Sequence, residues 1–262
     1  MVVLTLLPFS LAELTDASLL PNTLDYTIHT GFYPRAYNSN YIRLYVERDV
    51  RQIRNVADLG VFQKFMRVCA GRIGQIVDFV SLGNDCGIDQ KTVKAWISLL
   101  EASYIIFRLQ PYYRNYGKSL IKSSKLYFYD TGIACSLLNI ATPEELAFHY
   151  MRGSLFESMI IGDILKQHHN RELQPGVYFW RDKPGHELDC VIEQGPEPVP
   201  IEIKSGQTVA SDFFKNLTFW HETTKQQDVP RVLVYGGTES YSQNGIQVLS
   251  WRDAGNLIKL VK

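Results

Sequence analysis

The sequence predicts a chain of α+β or α/β class, with a helical and winged-helix region followed by a mixed sheet flanked by helices. Three observations lead there. Between Val61 and Tyr129, short helical patterns and a turn give way to one further helix and two β-rich runs, the element order of a winged helix-turn-helix. From Ser154 onward, helical and strand patterns alternate, as a sheet covered by helices requires. Within that second region, "HELDCVIEQGPEPVPIEIKSG" (His186–Gly206) carries two alternating runs around a Gly/Pro-rich reversal, which reads as a hairpin.

The totals bound the function classes. At 262 residues the chain exceeds the commonest domain size, so more than one core is expected. Hydrophobic residues make up 45% and charged residues 21%, a globular composition that excludes general disorder. Lys plus Arg and Asp plus Glu are both 27, so attraction to a polyanion has to come from a local patch. Cys69, Cys86, Cys135 and Cys190 are widely spaced and form no CxxC, which fits buried thiols in a reducing cytoplasm rather than a zinc ribbon or disulfide framework. The opening "MVVLTLLPFSLAEL" has no basic n-region, contains Pro8 and turns acidic at Glu13, against a signal peptide or membrane span. The expectation is a cytoplasmic protein without a membrane partner, whose apolar start suggests a fragment of something longer.

Taken in order, residues 1–60 form a first, helical region. Tyr41, Leu44, Tyr45, Val50 and Ile53 recur near helical spacing, with Arg43, Arg48, Arg51 and Arg54 between them, mostly a solvated face balanced by Glu47 and Asp49. Residues 61–140 form the winged helix: helices over Val61–Cys69 and Ile76–Leu82, a turn at "GNDCGIDQ" ending in the N-cap Asp89, and a helix with Val93, Trp96, Leu99 and Leu100 on one face and Lys91 and Lys94 on another. The following "IIFRLQPYY" and "KLYFYD" read as the ribbon. Arg108, Arg114, Lys118, Lys122 and Lys125 fall between Ala102 and Tyr129 with no acidic residue in that stretch, and Tyr112, Tyr113 and Tyr116 are interleaved. That is a footprint suited to a DNA backbone, and Lys91, Lys94, Arg114, Lys118, Lys122 and Lys125 are the expected contacts. Winged helices also dock proteins, so both uses stay open. "YGKSL" imitates the end of a P-loop, but Tyr112 stands where its first glycine belongs, so no ATP site is expected in this chain.

Residues 150–262 form the third region, after a boundary in the loop Leu137–Glu144. Its order is a helix from Ser154, strands at Val177–Trp180, Glu187–Glu193 and Val199–Lys204, a helix over Val209–Thr223, strands at Arg231–Tyr235 and Gln247–Trp251, and a short last helix. A hairpin centred between Gly195 and Pro196 sets Asp189 opposite Glu202. It places Leu188, Cys190, Ile192, Val199, Ile201 and Ile203 on one face, and Asp189, Glu202 and Lys204 on the other. The polar set is either the wet side of a half-buried sheet or a metal site. Like charges directly across a strand pair repel, and Mg²⁺ or Mn²⁺ would turn that repulsion into attraction, with Lys204 placed to steer water or meet a phosphoryl charge. Glu157 is the further candidate, although "SLFE" also reads as a capping box from Ser154. His186 is a loop histidine that could touch metal or substrate, and His168 and His169 sit where a helix dipole favours them.

"GSLFESMIIGDIL", "YFWRDKPGHELDCVIE" and "PIEIKSG" resemble the PD-(D/E)XK, restriction-endonuclease-like fold. The resemblance implies Glu157, Asp189, Glu202 and Lys204 as its active-site residues, with Mg²⁺ or Mn²⁺ on Asp189, Glu202 and Glu157. Together with "PFSLAEL", "YVERDV" and the stretch from "TVKAWISLLEASYI" to "KLYFYDTG", nearly the whole chain resembles the C-terminal region of prokaryotic AAA-type ATPases that end in a domain of unknown function. On that resemblance residues 1–60 are the tail of an ATPase module, Arg48 reaches a neighbour's nucleotide, and an upstream ATPase domain is a partner. The implied function is a DNA-associated module with a metal-dependent nuclease-like domain, or alternatively a non-catalytic docking module with the same fold.

Overall fold

The computed structural model describes residues 6–33, 58–113, 122–193, 195, 197–225 and 229–260. The expected helix around residues 41–53, with Arg48, lies outside them, as do Arg114, Lys118 and the P-loop-like "YGKSL". The chain divides into two compact units, one of residues 1–20, 109–124 and 160–262, the other of residues 21–108 and 125–159. These cuts differ from the expected 1–60, 61–140 and 150–262. A strand and a long helix run through them, and no composition shift marks a break inside a regular element.

The unit of residues 21–108 and 125–159 is mainly helical. Chain order gives α1 (Leu11–Asp16, in the other unit), then α2 (Leu24–Thr30), α3 (Leu59–Ala70), α4 (Phe79–Cys86) and α5 (Gln90–Ala102). They are followed by strands β1 (Ile106–Pro111) and β2 (Lys125–Phe128) and helices α6 (Thr131–Leu137), α7 (Pro143–Phe148) and α8 (Arg152–His169). Asp58, Asp78 and Asp89 each cap a helix, their carboxylates accepting from backbone N–H groups of the first turn. Asp78 corrects one expectation. Helix α4 starts at Phe79, because Ile76 is extended and bridges Lys125, and "GNDC" is the helix's last turn rather than a loop. Gly87, at φ 75, ends it in the left-handed region and leaves only Gly87–Asp89 as the turn. Phe62 and Phe65 meet Trp96 edge-on at centroid distances of 5.0 and 5.3 Å, which locks α3 against α5. β1 and β2 are neighbours, and β1 also pairs with a strand of the other unit's sheet, so the two strands are not a free-standing ribbon.

In the other unit the strands run β1-β3-β4-β5-β6-β8-β7. The new members are β3 (Val177–Arg181), β4 (Glu187–Ile192), β5 (Val199–Lys204), β6 (Arg231–Tyr235), β7 (Tyr241–Gln243) and β8 (Ile246–Ser250). β1 with β3, β5 with β6 and β6 with β8 are parallel, and the other pairs are antiparallel. The sheet is mixed, as expected. β7 escaped the sequence because its residues are all exposed and carry no burial alternation. Helix α9 (Lys215–Thr224), entered through a 3₁₀ turn at Ser211–Phe214, packs on β4 and β5. It buries Leu217 and Trp220 against Leu188, Val191, Leu233 and Val248. A last short helix, α10 (Leu257–Leu260), ends the described chain.

All four cysteines are free and buried. Burial pushes the Cys135 thiol up to about 12 and raises Cys69 and Cys86 as well, so these thiols pack as apolar groups. Among the described residues no helix is long and apolar enough to cross a membrane.

Candidate active site

The hairpin holds the register that the sequence predicts, with Ile192 opposite Val199, Val191 opposite Pro200 and Cys190 opposite Ile201. Its faces differ from expectation. Against β3, β4 shifts register between the pairs Tyr178–Val191 and Trp180–Leu188, so Asp189 and Cys190 together face Phe179. This is a β-bulge on β4. It moves Leu188 to the side of Val191, into the core under α9, instead of leaving it with Cys190 and Ile192. Nor is the Asp189, Glu202 and Lys204 side wet. Glu202 pairs in register with Leu233 of β6, beneath α9, and is 1% exposed. The sheet is covered on both faces at Glu202, and solvent reaches this side of the strand only at its end, at Lys204, so the alternation that looked like core and water separates two largely buried layers.

Bulge and register gather three charges. Lys204 Nζ lies 2.6 Å from Glu202 Oε1 and 3.2 Å from Asp189 Oδ2. Asp189 Oδ2 also accepts from the Ile203 backbone N–H at 2.8 Å. Asn216, in the first turn of α9, donates Nδ2 to Glu202 Oε1 at 3.1 Å. The other Glu202 oxygen, Oε2, is buried and has no hydrogen-bond partner among the described residues. A buried acceptor left unpaired costs roughly 1–3 kcal/mol.

Burial, then repulsion from Asp189, raises the Glu202 carboxyl to about 8, against the pull of Lys204 and Asn216. Burial alone would lower Lys204, but Asp189 and Glu202 outweigh it and hold the ammonium above its ordinary value. The arrangement is one cation between two carboxylates, one of which prefers its proton near neutrality. A metal fits this donor set in part. Two carboxylates suffice for Mg²⁺, which usually keeps several waters, and the orphaned Oε2 is a ready hard ligand. Among the described residues no group of three or more His, Cys, Asp or Glu side chains is placed to hold an ion.

Glu157 belongs to the other unit and makes no capping box. Helix α8 begins at Arg152, two residues before Ser154, so Ser154 lies inside the helix. Glu157 Oε1 instead accepts from Lys125 Nζ at 3.3 Å and from the Tyr127 hydroxyl. That pairing also corrects the basic ribbon. Lys125 is 3% exposed and committed to Glu157, so it is no phosphate contact. Arg108 is neutralised by a two-pronged bond to Glu101 at 2.8 and 3.0 Å. Of the expected basic contacts, Lys91, Lys94 and Lys122 are exposed, with the Lys94 ammonium 5.7 Å from the Phe79 ring centroid.

His186 is more ordered than a loop histidine. Asp182 Oδ1 accepts from the Gly185 and His186 N–H groups at 2.9 and 2.8 Å, and Oδ2 lies 2.9 Å from His186 Nδ1. Gly185, at φ 104, supplies a turn backbone that L side chains rarely adopt. The imidazole stacks on Phe219 of α9 at 3.7 Å, 8° from parallel. His168, expected at a helix dipole, is fully buried, with Nδ1 donating to the Ile164 carbonyl at 2.8 Å. Burial lowers its pKa, which disfavours the cation that a helix-dipole role would need. Sequence reasoning missed Asn216 and Asp182. Asn216 carries no pattern signal, whereas "DKPGH" is a turn whose first carboxylate could have been paired with the histidine four residues on.

Comparison with known proteins finds two modules of undefined role. Residues 18–144 match the profile of a domain of unknown function (DUF8612), and residues 152–254 match that of another (DUF4143). Over 174 residues the chain is 26% identical to uncharacterized proteins of Mycobacterium tuberculosis and Mycobacterium bovis. The match covers 66% of this chain and 38% of each relative, so the chain spans well under half the length of those proteins.

Proposed function

We propose that the chain is a DNA-associated, cytoplasmic module from the C-terminal side of an AAA-type ATPase, and that its sheet domain hydrolyses phosphodiester bonds with Mg²⁺ or Mn²⁺. The observation that carries the reading is the Glu202 carboxylate, buried beneath α9 with Oε2 unpaired and placed with Asp189 around one ammonium. A structural ion pair would be expected to satisfy both carboxylate oxygens. An ion site leaves one for its ion. Asp189 and Glu202 would hold the cation, and Asn216 and the Ile203 N–H fix the two carboxylates in place. The cation, when bound, would polarise the phosphoryl group and lower the pKa of its water. Lys204, kept protonated by its neighbours, stabilises charge building on a phosphoryl oxygen. Lys91, Lys94 and Lys122 supply the exposed positive charge toward a DNA backbone.

The second reading, a docking module with a degenerate site, is supported by Glu157. Its carboxylate is engaged by Lys125 and Tyr127 in the helical unit. Calorimetry with Mn²⁺ separates the two. Binding of about one or two ions, abolished by Asp189→Asn, together with loss of Mn²⁺-dependent nicking of plasmid DNA in the same variant, supports the hydrolase. No heat of binding in either protein sinks it and leaves docking. Removal of charge at Lys91 and Lys94 should reduce the salt slope of DNA binding by about one unit for each phosphate no longer neutralised.

A further inference from the structure

Helix α9, which holds Glu202 through Asn216, also lines a pocket that the charged group does not use. It is open, has a volume of about 360 Å³, and is lined by His186, Ser211, Phe214, Lys215, Phe219 and Glu222. Two ties link its lining to the elements that carry the carboxylates. Lys215 is adjacent in sequence to Asn216, which holds Glu202, and His186 leads directly into β4, three residues before Asp189.

The lining narrows the ligand class. Three aromatic rings dominate, and the volume falls in the range of small-ligand sites with apolar walls and a few polar groups. Glu222 opposes a lone anion, so a free phosphate is a poor occupant. The His186–Phe219 stack is a rigid wall, since Asp182 is 0% exposed and fixes the imidazole by its ring and its backbone. The Asp182 carboxylate can only accept, so the His186 Nδ1 that faces it carries a proton. The Glu222 carboxylate in the lining can only accept, which suits the exocyclic amino group of a base. Lys215, exposed at the start of α9, suits the phosphate beside it.

We infer that this pocket takes one unstacked, amino-bearing nucleobase of a single-stranded polynucleotide, with the neighbouring phosphodiester directed toward Asp189, Glu202 and Lys204. The inference rests on the hydrolase reading for its ligand class. It makes the substrate a single strand, or a duplex opened at that nucleotide, because a base inside a helix cannot enter a pocket.

The test is fluorescence anisotropy of a short labelled oligodeoxyadenylate with the full chain in the Asp189→Asn background, so that nothing is cleaved. Phe219→Leu keeps apolar bulk against Trp180 and removes the ring, and His186→Asn removes the other ring while keeping a polar group in reach of the buried Asp182 carboxylate. Either should weaken binding by roughly ten-fold, since base stacking contributes about 1–3 kcal/mol per base. An oligonucleotide with abasic sites should bind the unsubstituted background protein with the same deficit. Equal affinity across the variants, or no binding of the oligonucleotide, overturns the inference. The hydrolase reading fails separately. Mn²⁺ binding, measured with Asp189 intact, should survive Phe219→Leu. Its absence from the unmodified chain, with the Phe219 effect on oligonucleotide retained, removes the hydrolase and keeps the base pocket.

Discussion

Substituting Glu202→Gln removes a titratable carboxyl from beneath α9 and nearly keeps the shape, so it measures what that proton does. The Glu202 carboxyl is raised from 4.5 to about 8 by burial and by Asp189. Between those limits the unfolded chain has released the proton and the folded one keeps it. Stability contributed by this group is therefore full below the unfolded value and is lost as pH rises through the folded value. The slope is about 1.4 kcal/mol per pH unit, so two units of pH rise within the window cost about 3 kcal/mol. Urea denaturation of the metal-free protein at several values from about pH 5.5 to 7.5 gives the wild-type curve. The same series on Glu202→Gln gives the curve without this proton, and the difference between them cancels the titrating groups that do not interact with Glu202. The expected difference grows in favour of the glutamine variant as pH rises. A cation at the site should reverse the order, because it binds the ionised carboxylate and stabilises only the native wild type by mass action. Parallel curves for the two proteins without metal would refute the account of Glu202 as a proton-holding buried acid.

Two further substitutions test the framework. Lys125→Met should lower the midpoint of thermal unfolding by several degrees, because it removes the cation facing the Glu157 carboxylate, whose side chain is only 16% exposed; a double variant with Glu157→Gln should recover part of the loss, and an unchanged midpoint in the single variant would contradict the pairing. Asp130→Ala should cost about 2–4 kcal/mol in urea, since the buried carboxylate accepts from the backbone N–H groups of Phe32, Tyr33 and Ile133 at 2.6, 3.2 and 2.8 Å; a loss below about half a kcal/mol would show those amides finding other acceptors.

The sequence by itself determined the elements and the hairpin. Asp89 was legible as a cap because a short carboxylate before an apolar period has one good use there; Asp78 was not, because the apolar Ile76 and Val77 ahead of it read as helix. The register of β4 on β5 follows from a two-fold side-chain period that a one-residue slip would invert. The charged trio was legible for the same reason. The burial of that trio was not. Alternation looks the same whether the second face meets water or a helix, and only the packing of α9 decides that Glu202 is dry and Asn216 is its partner. The bulge at Asp189 and Cys190 depends on a third strand, β3, which pairwise reasoning about a hairpin does not include. Lys125 shows the limit for charges. Along the chain it belongs to a basic run, but the fold turns it inward to Glu157, because an ion pair is set by which side chains meet in space rather than by their neighbours in sequence.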